Sequence, residues 1–200
     1  MARWGIERLF IHSRRPRAHF FHQTSGCLSA FGDGSMKNDT YYMDMAIEEA
    51  KKAGQKGEVP IGCVIVAETG EVISAAHNLT ISLSDPTAHA EILAIRKASK
   101  ELNNYRLPGM SLYATIEPCI MCMGAIVHAR FSRVVFGACD EKWGGAGSLY
   151  NLADDSRLNH SLDVIPSVCA DACRTLMQDF FRLRRREQKA RKKSALQQNT

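Results

Sequence analysis

Two short segments of the chain contain residues that could hold a metal ion and move a proton. The first has His89 and Glu91 separated by one residue, and the second has Cys119 and Cys122 in a Pro-Cys-x-x-Cys pattern. A tetrahedral zinc ion with three protein ligands keeps its fourth position open for water, as catalytic sites do. We therefore expect a catalytic zinc site with His89, Cys119 and Cys122 as ligands. The carboxylate of Glu91 then suits a general acid and base.

Both segments fall where a predicted strand leads into a predicted helix. The apolar spacing predicts helices over about 87–103 and 119–130. Pro118 suits the first helical position, because its missing N–H would be unpaired there. Cys119 and Cys122 then lie three residues apart on one helical face and can bind one ion. The positive end of the helix dipole favours their thiolate forms.

The rest of the chain follows an alternating pattern of helices and strands. Further helices are predicted over about 40–53 and from about 170 into the basic C-terminal segment. Strands are predicted over 61–67, 71–78, 111–116, 133–138 and 163–168. Pro166 interrupts the last strand, which places it at an edge of the sheet. The order α-β-β-α-β-α-β-β-α predicts an α/β protein with one mixed sheet covered by helices.

Composition and charge restrict the class of protein. The chain is 45% hydrophobic and 24% charged, as in an ordinary globular protein, and no apolar run approaches the roughly 18 residues of a membrane span. Residues 41–181 carry 12 Lys and Arg against 17 Asp and Glu, whereas 182–193 carry eight basic residues against Glu187 alone. Such a basic segment suits a phosphate-backbone partner, and a solvated helix end is the alternative.

The motif H-x-E followed by P-C-x-x-C is the signature of zinc-dependent nucleobase deaminases. Over roughly residues 40–195 the chain closely resembles the bacterial tRNA-specific adenosine deaminases of the cytidine-deaminase-like superfamily. The resemblance rests on DPTAHAEI (85–92), NYRL (104–107), TIEPCIMCMGAIVHAR (115–130), RVVFGACDEK (133–142), GSL (147–149) and DFFRLRRREQKARKK (179–193). It implies a three-layer α/β/α cytidine-deaminase-like fold with a mixed central sheet.

The resemblance also implies a reaction and a set of roles. The family converts the wobble adenosine of a tRNA anticodon to inosine as a homodimer with one zinc ion per subunit. A zinc-bound hydroxide would attack C6 while Glu91 shuttles protons. Asn78 would hydrogen-bond the flipped adenine, and Asp140 would contact the sugar of a neighbouring nucleotide. The residues that would hold the anticodon loop are Phe181, Arg182, Arg184 and Arg185.

Two positions depart from the family pattern. Cys139 precedes Asp140 where arginine is common in relatives, and Trp143 stands where a small or polar residue is expected before the glycines. Both border the substrate channel that the resemblance implies. They affect the expected substrate preference and leave the zinc chemistry untouched.

The chain divides into three parts by composition. Residues 1–38 form a basic extension with five arginines and two acids, which we interpret as disordered or as a mis-assigned start, with Met36 the true beginning. The alternative is an Arg-rich leader for organellar import. The deaminase domain is predicted over 39–183, and a basic helix end and tail over 184–200. We expect a location in the bacterial cytoplasm, since thiolate ligands need a reducing compartment.

Two other functions are compatible with the zinc motif. One is a deaminase of a free cytosine or guanine base or nucleotide, although so small a substrate needs no basic surface. The other is a non-catalytic RNA-binding subunit that keeps zinc for structure. Glu91 argues against the second alternative, because a structural site has no use for that carboxylate and more often has a fourth protein ligand.

Overall fold

The computed structural model describes residues 38–198. The helices and strands of this range follow the predicted order. They are α1 (Asp39–Gln55), β1 (Gly62–Val66), β2 (Val72–His77), α2 (Ala90–Glu101), β3 (Ser111–Ile116), α3 (Ile120–His128), β4 (Arg133–Ala138), β5 (Asp163–Ile165) and α4 (Ala170–Gln198). Apart from Asn38, the predicted N-terminal extension lies outside the described residues. None of the helices in this range has the length and apolarity that a bilayer span requires.

The strands form one mixed sheet in the order β2-β1-β3-β4-β5. Strand β1 is antiparallel to β2 and β3, whereas β4 is parallel to β3 and β5. Parallel strands need a crossover connection, and α3 supplies the one between β3 and β4. The predicted mixed sheet is confirmed.

Helices cover both faces of the sheet, because buried strand residues alternate between two apolar clusters. Ile65 and Leu112 face the cluster that contains residues of α2 and α3. Their chain neighbours Val64 and Tyr113 face the cluster that contains residues of α1 and α4. Successive strand side chains point to opposite faces, so each strand contributes to both clusters. The predicted three-layer α/β/α fold is confirmed.

Strand β5 is shorter than predicted. It lies at the edge of the sheet, as its proline indicated, but it ends at Ile165 instead of residue 168. Pro166 has no N–H to donate to a neighbouring strand, and Ser167 adopts a φ of 67°. Pairing with β4 resumes only at Val168, whose N–H donates to the carbonyl oxygen of Phe136 at 3.1 Å.

Gly62 allows α1 to pack closely against β1. A Cβ at this position would lie 2.5 Å from the backbone nitrogen of Ala50 and still closer to the carbonyl oxygen of Ala46. Both obstructing atoms belong to the helix backbone, which cannot move aside as a flexible side chain can. The close contact of α1 with the sheet therefore requires glycine at the start of β1.

We expect Gly62→Ala to lower the free energy of unfolding by about 3 kcal/mol or more, the upper part of the range for overpacked cores. Gly124→Ala is the matched control, because a Cβ on that α3 residue would meet nothing within 4 Å. The control should be neutral or stabilising by up to about 1 kcal/mol, since alanine favours helix. Urea denaturation of both variants measures the difference. Equal midpoints would contradict the packing argument.

Candidate active site

The first ligand of each segment lies just before a helix begins. His89 is the N-cap of α2 and Cys119 is the N-cap of α3, and both have extended backbone conformations. The sequence predicted both residues inside the first turn, with Pro118 as a first helical residue; this is wrong, because the helices begin one to three residues later. Neither side chain caps its own helix. The imidazole and the thiol therefore remain available to bind an ion.

The three predicted ligands converge on one point. The Sγ atoms of Cys119 and Cys122 lie 3.7 and 3.6 Å from Nδ1 of His89, and the three ligand atoms lie within 4.8 Å of one another. Tetrahedral zinc, with Zn–S near 2.3 Å and Zn–N near 2.0 Å, places its ligand atoms roughly 3.5 Å apart. The donor set therefore fits zinc, with His89 binding through Nδ1.

The electrostatics of the two thiols also fit a cation between them. The pKa of Cys119 is lowered to about 4, first because it accepts a hydrogen bond from the Cys122 thiol. The pKa of Cys122 is raised by that same hydrogen bond and by burial. One proton is thus shared between two sulfurs that cannot both ionise alone. A divalent cation removes this conflict and deprotonates coordinating thiols.

Glu91 lies in the first turn of α2 and is only 2% exposed. Its Oε2 is buried without a hydrogen-bond partner among the described residues. Burial raises the pKa of this carboxyl to about 7. An unpaired buried carboxylate oxygen is costly. The atom is therefore suited to bind a water molecule or a substrate group beside the ligands.

Asn78, the residue after β2, is hydrogen-bonded to the start of α2. It is buried, and its Oδ1 accepts a hydrogen bond from the backbone N–H of Ala90 at 3.0 Å. Ala90 directly follows the ligand His89, so the carboxamide has a fixed orientation beside the metal cluster. Among the described residues, no group accepts a hydrogen bond from its Nδ2. The predicted contact with adenine is compatible with this geometry and stays a prediction.

Asp140 begins the loop that follows β4. Its Oδ1 accepts hydrogen bonds from the N–H groups of Lys142 and Trp143 at 3.0 and 3.2 Å. The side chain is half-buried and closes the turn with one carboxylate oxygen. The predicted contact of Asp140 with a nucleotide sugar stays a prediction.

The comparisons with known proteins agree with this geometry. Residues 36–138 match the family model of the cytidine and deoxycytidylate deaminase zinc-binding region. The tRNA-specific adenosine deaminase of Haemophilus influenzae is 47% identical over 154 residues, which are 77% of this chain and 89% of that protein. The one from Bacillus subtilis is 48% identical over 159 residues, 80% of this chain and 98% of that protein. The chain belongs to the tRNA-specific adenosine deaminase family.

A solved structure supports the same assignment. A structure from a study of A-to-I editing by tRNA:A34 deaminases at the wobble position has a TM-score of 0.66 and 42% identity, and the match covers 68% of this chain and 99% of that one. Guanine deaminase from Nitrosomonas europaea has a TM-score of 0.63 at 22% identity, covering 70% and 83%. The latter likeness shows the fold alone. The predicted family and fold are both confirmed.

Glu117, which directly precedes Pro118, has a role that the sequence did not predict. Its buried carboxylate accepts hydrogen bonds from the N–H groups of Asp140, Ala146 and Ser148 at 3.0–3.1 Å, and from the Ser148 hydroxyl. It therefore fixes the loop between residues 140 and 148 against the start of α3. The only indication in the sequence was the position of Glu117 between a predicted strand and a predicted metal ligand.

Glu58, also missed, has the same role on another loop. Its carboxylate accepts hydrogen bonds from the N–H groups of Ile81 and Ser82 at 3.1 and 2.6 Å, and from the hydroxyls of Thr80 and Ser82. Burial alone would raise the pKa of Glu58, but the hydrogen bonds outweigh it and the pKa is lowered. Glu58 fixes the loop that begins just after Asn78.

The four residues of α4 that were predicted to hold an anticodon loop have different environments. Phe181 is 42% exposed and contacts Phe180 edge to face. Arg182 pairs with Asp179 at the surface, and Arg185 is exposed. Arg184, in contrast, donates from Nη2 to the carbonyl oxygen of Gly57 at 2.5 Å, and its guanidinium lies 5.2 Å from the centre of the Phe180 ring. Their predicted contacts with an anticodon loop stay predictions.

We expect Cys119→Ser to lose most of its bound zinc, because serine replaces a soft thiolate with a hydroxyl that zinc sites rarely use. Cys139→Ser is the matched control, since Cys139 is exposed and does not belong to the ligand triangle. Elemental analysis after dialysis against a weak chelator gives the zinc content per chain. Equal zinc in both variants would remove Cys119 from the ligand set.

Proposed function

We propose that this protein deaminates the wobble adenosine of a tRNA anticodon to inosine, with zinc, in the bacterial cytoplasm. The observation that carries the proposal is the triangle of His89, Cys119 and Cys122 beside the unpaired Oε2 of Glu91. It occurs in a chain that is 47% and 48% identical to tRNA-specific adenosine deaminases over most of its length. A structural zinc site would not require the buried carboxylate.

One zinc ion per chain would be held by His89 Nδ1 and the two thiolates. When bound, it supplies the Lewis acidity that lets a water molecule lose its proton near neutral pH. Two thiolates and a neutral imidazole bring the formal charge of the site near zero, so this acidification is weaker than with three histidines. A base close to the water is therefore important.

Glu91 is the base that this geometry offers. Its Oε2 accepts a proton from the water that attacks C6 of adenine and delivers one to N1 of the ring. A further proton transfer lets the exocyclic amino group leave as ammonia. The overall reaction consumes adenosine and water and yields inosine and ammonia. Burial helps, because it keeps bulk water from competing for the carboxylate.

The surrounding residues would select the substrate. A base reaches a buried site only when it is unstacked, which costs least in a single-stranded loop. Nδ2 of Asn78 would donate a hydrogen bond to the flipped adenine, while Oδ1 stays bonded to Ala90. Asp140 has a second carboxylate oxygen for a ribose hydroxyl. Phe181 and the exposed arginines of α4 would contact neighbouring bases and phosphates.

We also propose that the enzyme is a homodimer whose two subunits both contact the anticodon loop. Large apolar side chains are exposed near the ligands, at Ile120 and Met121 of α3 and at Leu149 and Tyr150. The N–H groups of Leu149 and Tyr150 both donate to the carbonyl oxygen of Gly144, at 3.2 and 3.0 Å. Gly144 pairs with Cys119, so this apolar surface lies next to the metal cluster. Exposed apolar groups of this kind are typical of protein interfaces.

Incubation with total tRNA, followed by sequencing for A-to-inosine changes, tests the reaction. We expect conversion by the wild type, and a loss of at least about 100-fold with Glu91→Ala, the lower range for an acid–base group. Zinc content should not change. Free adenosine, cytosine and guanine are assayed in parallel. Zinc-loaded wild type that leaves tRNA unchanged but deaminates a free base would contradict the proposal.

The two arginines 184 and 185 should respond differently to substitution. Arg185→Ala should weaken binding of an anticodon stem-loop and reduce the slope of log Kd against log salt by about 0.7–0.9, the effect of one lost phosphate contact. Arg184→Ala removes a contact inside the protein, so it should instead accelerate hydrogen exchange in α4 and near Gly57. A larger salt effect from Arg184→Ala than from Arg185→Ala would contradict this distinction.

A further inference from the structure

The loop after β4 presents an exposed aromatic side chain close to the metal cluster. Trp143 is 66% exposed. Its backbone N–H is bonded to Asp140, but no aromatic ring or guanidinium of the described residues pairs with its indole. An indole this exposed gains little from burial within the chain and remains available to contact a ligand.

The backbone that carries Trp143 is held firmly in place. The side chain of Asp140 accepts hydrogen bonds from the backbone N–H groups of Lys142 and Trp143. Its carbonyl oxygen accepts one from the N–H of Gly144 at 2.8 Å. The buried carboxylate of Glu117 binds both ends of the loop. Gly144 has no room for a side chain, because a Cβ would lie 2.5 Å from the carboxyl carbon of Glu117. The indole is thus presented by a preorganised loop.

The loop also fixes the distance from Trp143 to the metal cluster. Gly144 forms an isolated antiparallel bridge with the ligand Cys119, and the N–H of Gly145 donates to the carbonyl oxygen of Pro118 at 2.8 Å. Residues paired in this way have Cα atoms about 5 Å apart. Trp143 is the next residue, so its Cα lies within roughly 9 Å of that of Cys119. A nucleotide adjacent to the reacting one would be within reach of the indole.

We propose that Trp143 is a stacking residue for a nucleobase that neighbours the target adenosine in the RNA substrate. This inference rests on the proposed function. A target base that enters the buried site leaves its neighbours without a stacking partner, and an aromatic side chain can replace it. Because the loop is already ordered, little conformational entropy is lost on binding. Trp143 would then determine which bases are accepted beside the target.

The surroundings of the indole favour a nucleotide over a second protein chain. The exposed residues that precede Trp143 in the loop are Cys139, Glu141 and Lys142, and Asp140 between them is half-buried, so three of these four neighbours are charged. Charged residues are depleted from the cores of protein interfaces. Lys142, the residue before Trp143 in the chain, is exposed and offers a cation for the phosphate of the stacked nucleotide.

The test measures Kd for a labelled anticodon stem-loop in a Glu91→Ala background, so that no turnover occurs. Trp143→Ala should raise Kd about 5- to 150-fold, the range for loss of one stacked base, and Trp143→Phe should recover most of this loss. Stem-loops with an abasic site at each position flanking the target identify the base. For the stem-loop that lacks the stacked base, Trp143→Ala should raise Kd little further. Tyr105→Ala is the control, because Tyr105 is 70% exposed on another loop.

Three outcomes would overturn the inference. The first is an unchanged Kd for Trp143→Ala. The second is that the effects of Trp143→Ala and of every abasic substitution on the binding free energy are fully additive. The third is a sedimentation profile in which Trp143→Ala dissociates a dimer, which would assign the indole to a second copy of the chain. Activity of the parent protein on the stem-loop separates the two proposals. If it is active and Kd does not depend on Trp143, only the stacking role fails; if it is inactive, both fail.

Discussion

A buried carboxylate is tolerated when hydrogen bonds satisfy it, and this protein depends on how three such groups are treated. Glu58 and Glu117 each accept several hydrogen bonds from backbone N–H and hydroxyl groups, and each fixes a loop. Glu91 keeps one oxygen without a partner among the described residues. Two carboxylates therefore hold loops in place, and the third keeps an oxygen atom available to a ligand. These glutamates differ because hydrogen-bond donors surround the carboxylates of Glu58 and Glu117, whereas one oxygen of Glu91 has none among the described residues.

These contacts connect the basic helix to the metal cluster. Arg184 of α4 binds the carbonyl oxygen of Gly57, and the next residue, Glu58, fixes the loop over residues 80–82. That loop begins after Asn78, whose amide oxygen binds the first residue of α2, next to His89. Each step is a direct hydrogen bond or a peptide link. This series of contacts therefore links α4 to the part of the site where Asn78 lies.

The sequence predicted the parts of the protein that follow from periodicity and ligand spacing. His89, Cys119 and Cys122 could be found because zinc restricts both the residue types and their separation. Glu58 and Glu117 could not, because a glutamate in a sequence suggests a surface residue, and only the fold supplies the backbone donors that let it be buried. The contact of Arg184 with Gly57 was not predicted either, although Arg184 was among the residues expected to hold the anticodon loop. This residue lies in a basic run that suggests solvent, whereas its partner is 127 residues away.

The ligand triangle determines the type of reaction and leaves the substrate open. A water molecule activated by zinc and a carboxylate would attack C4 of cytosine or C6 of adenine by the same chemistry, so nothing in the positions of Cys119, Cys122 and Glu91 distinguishes these bases. Selection must come from residues that contact the rest of the nucleotide and its neighbours. Two loops that offer such residues, over 80–82 and 140–148, are held in place by the carboxylates of Glu58 and Glu117. Because a buried carboxylate holds each loop in place, we expect changes of its exposed residues to alter substrate preference more than the geometry of the ligand triangle.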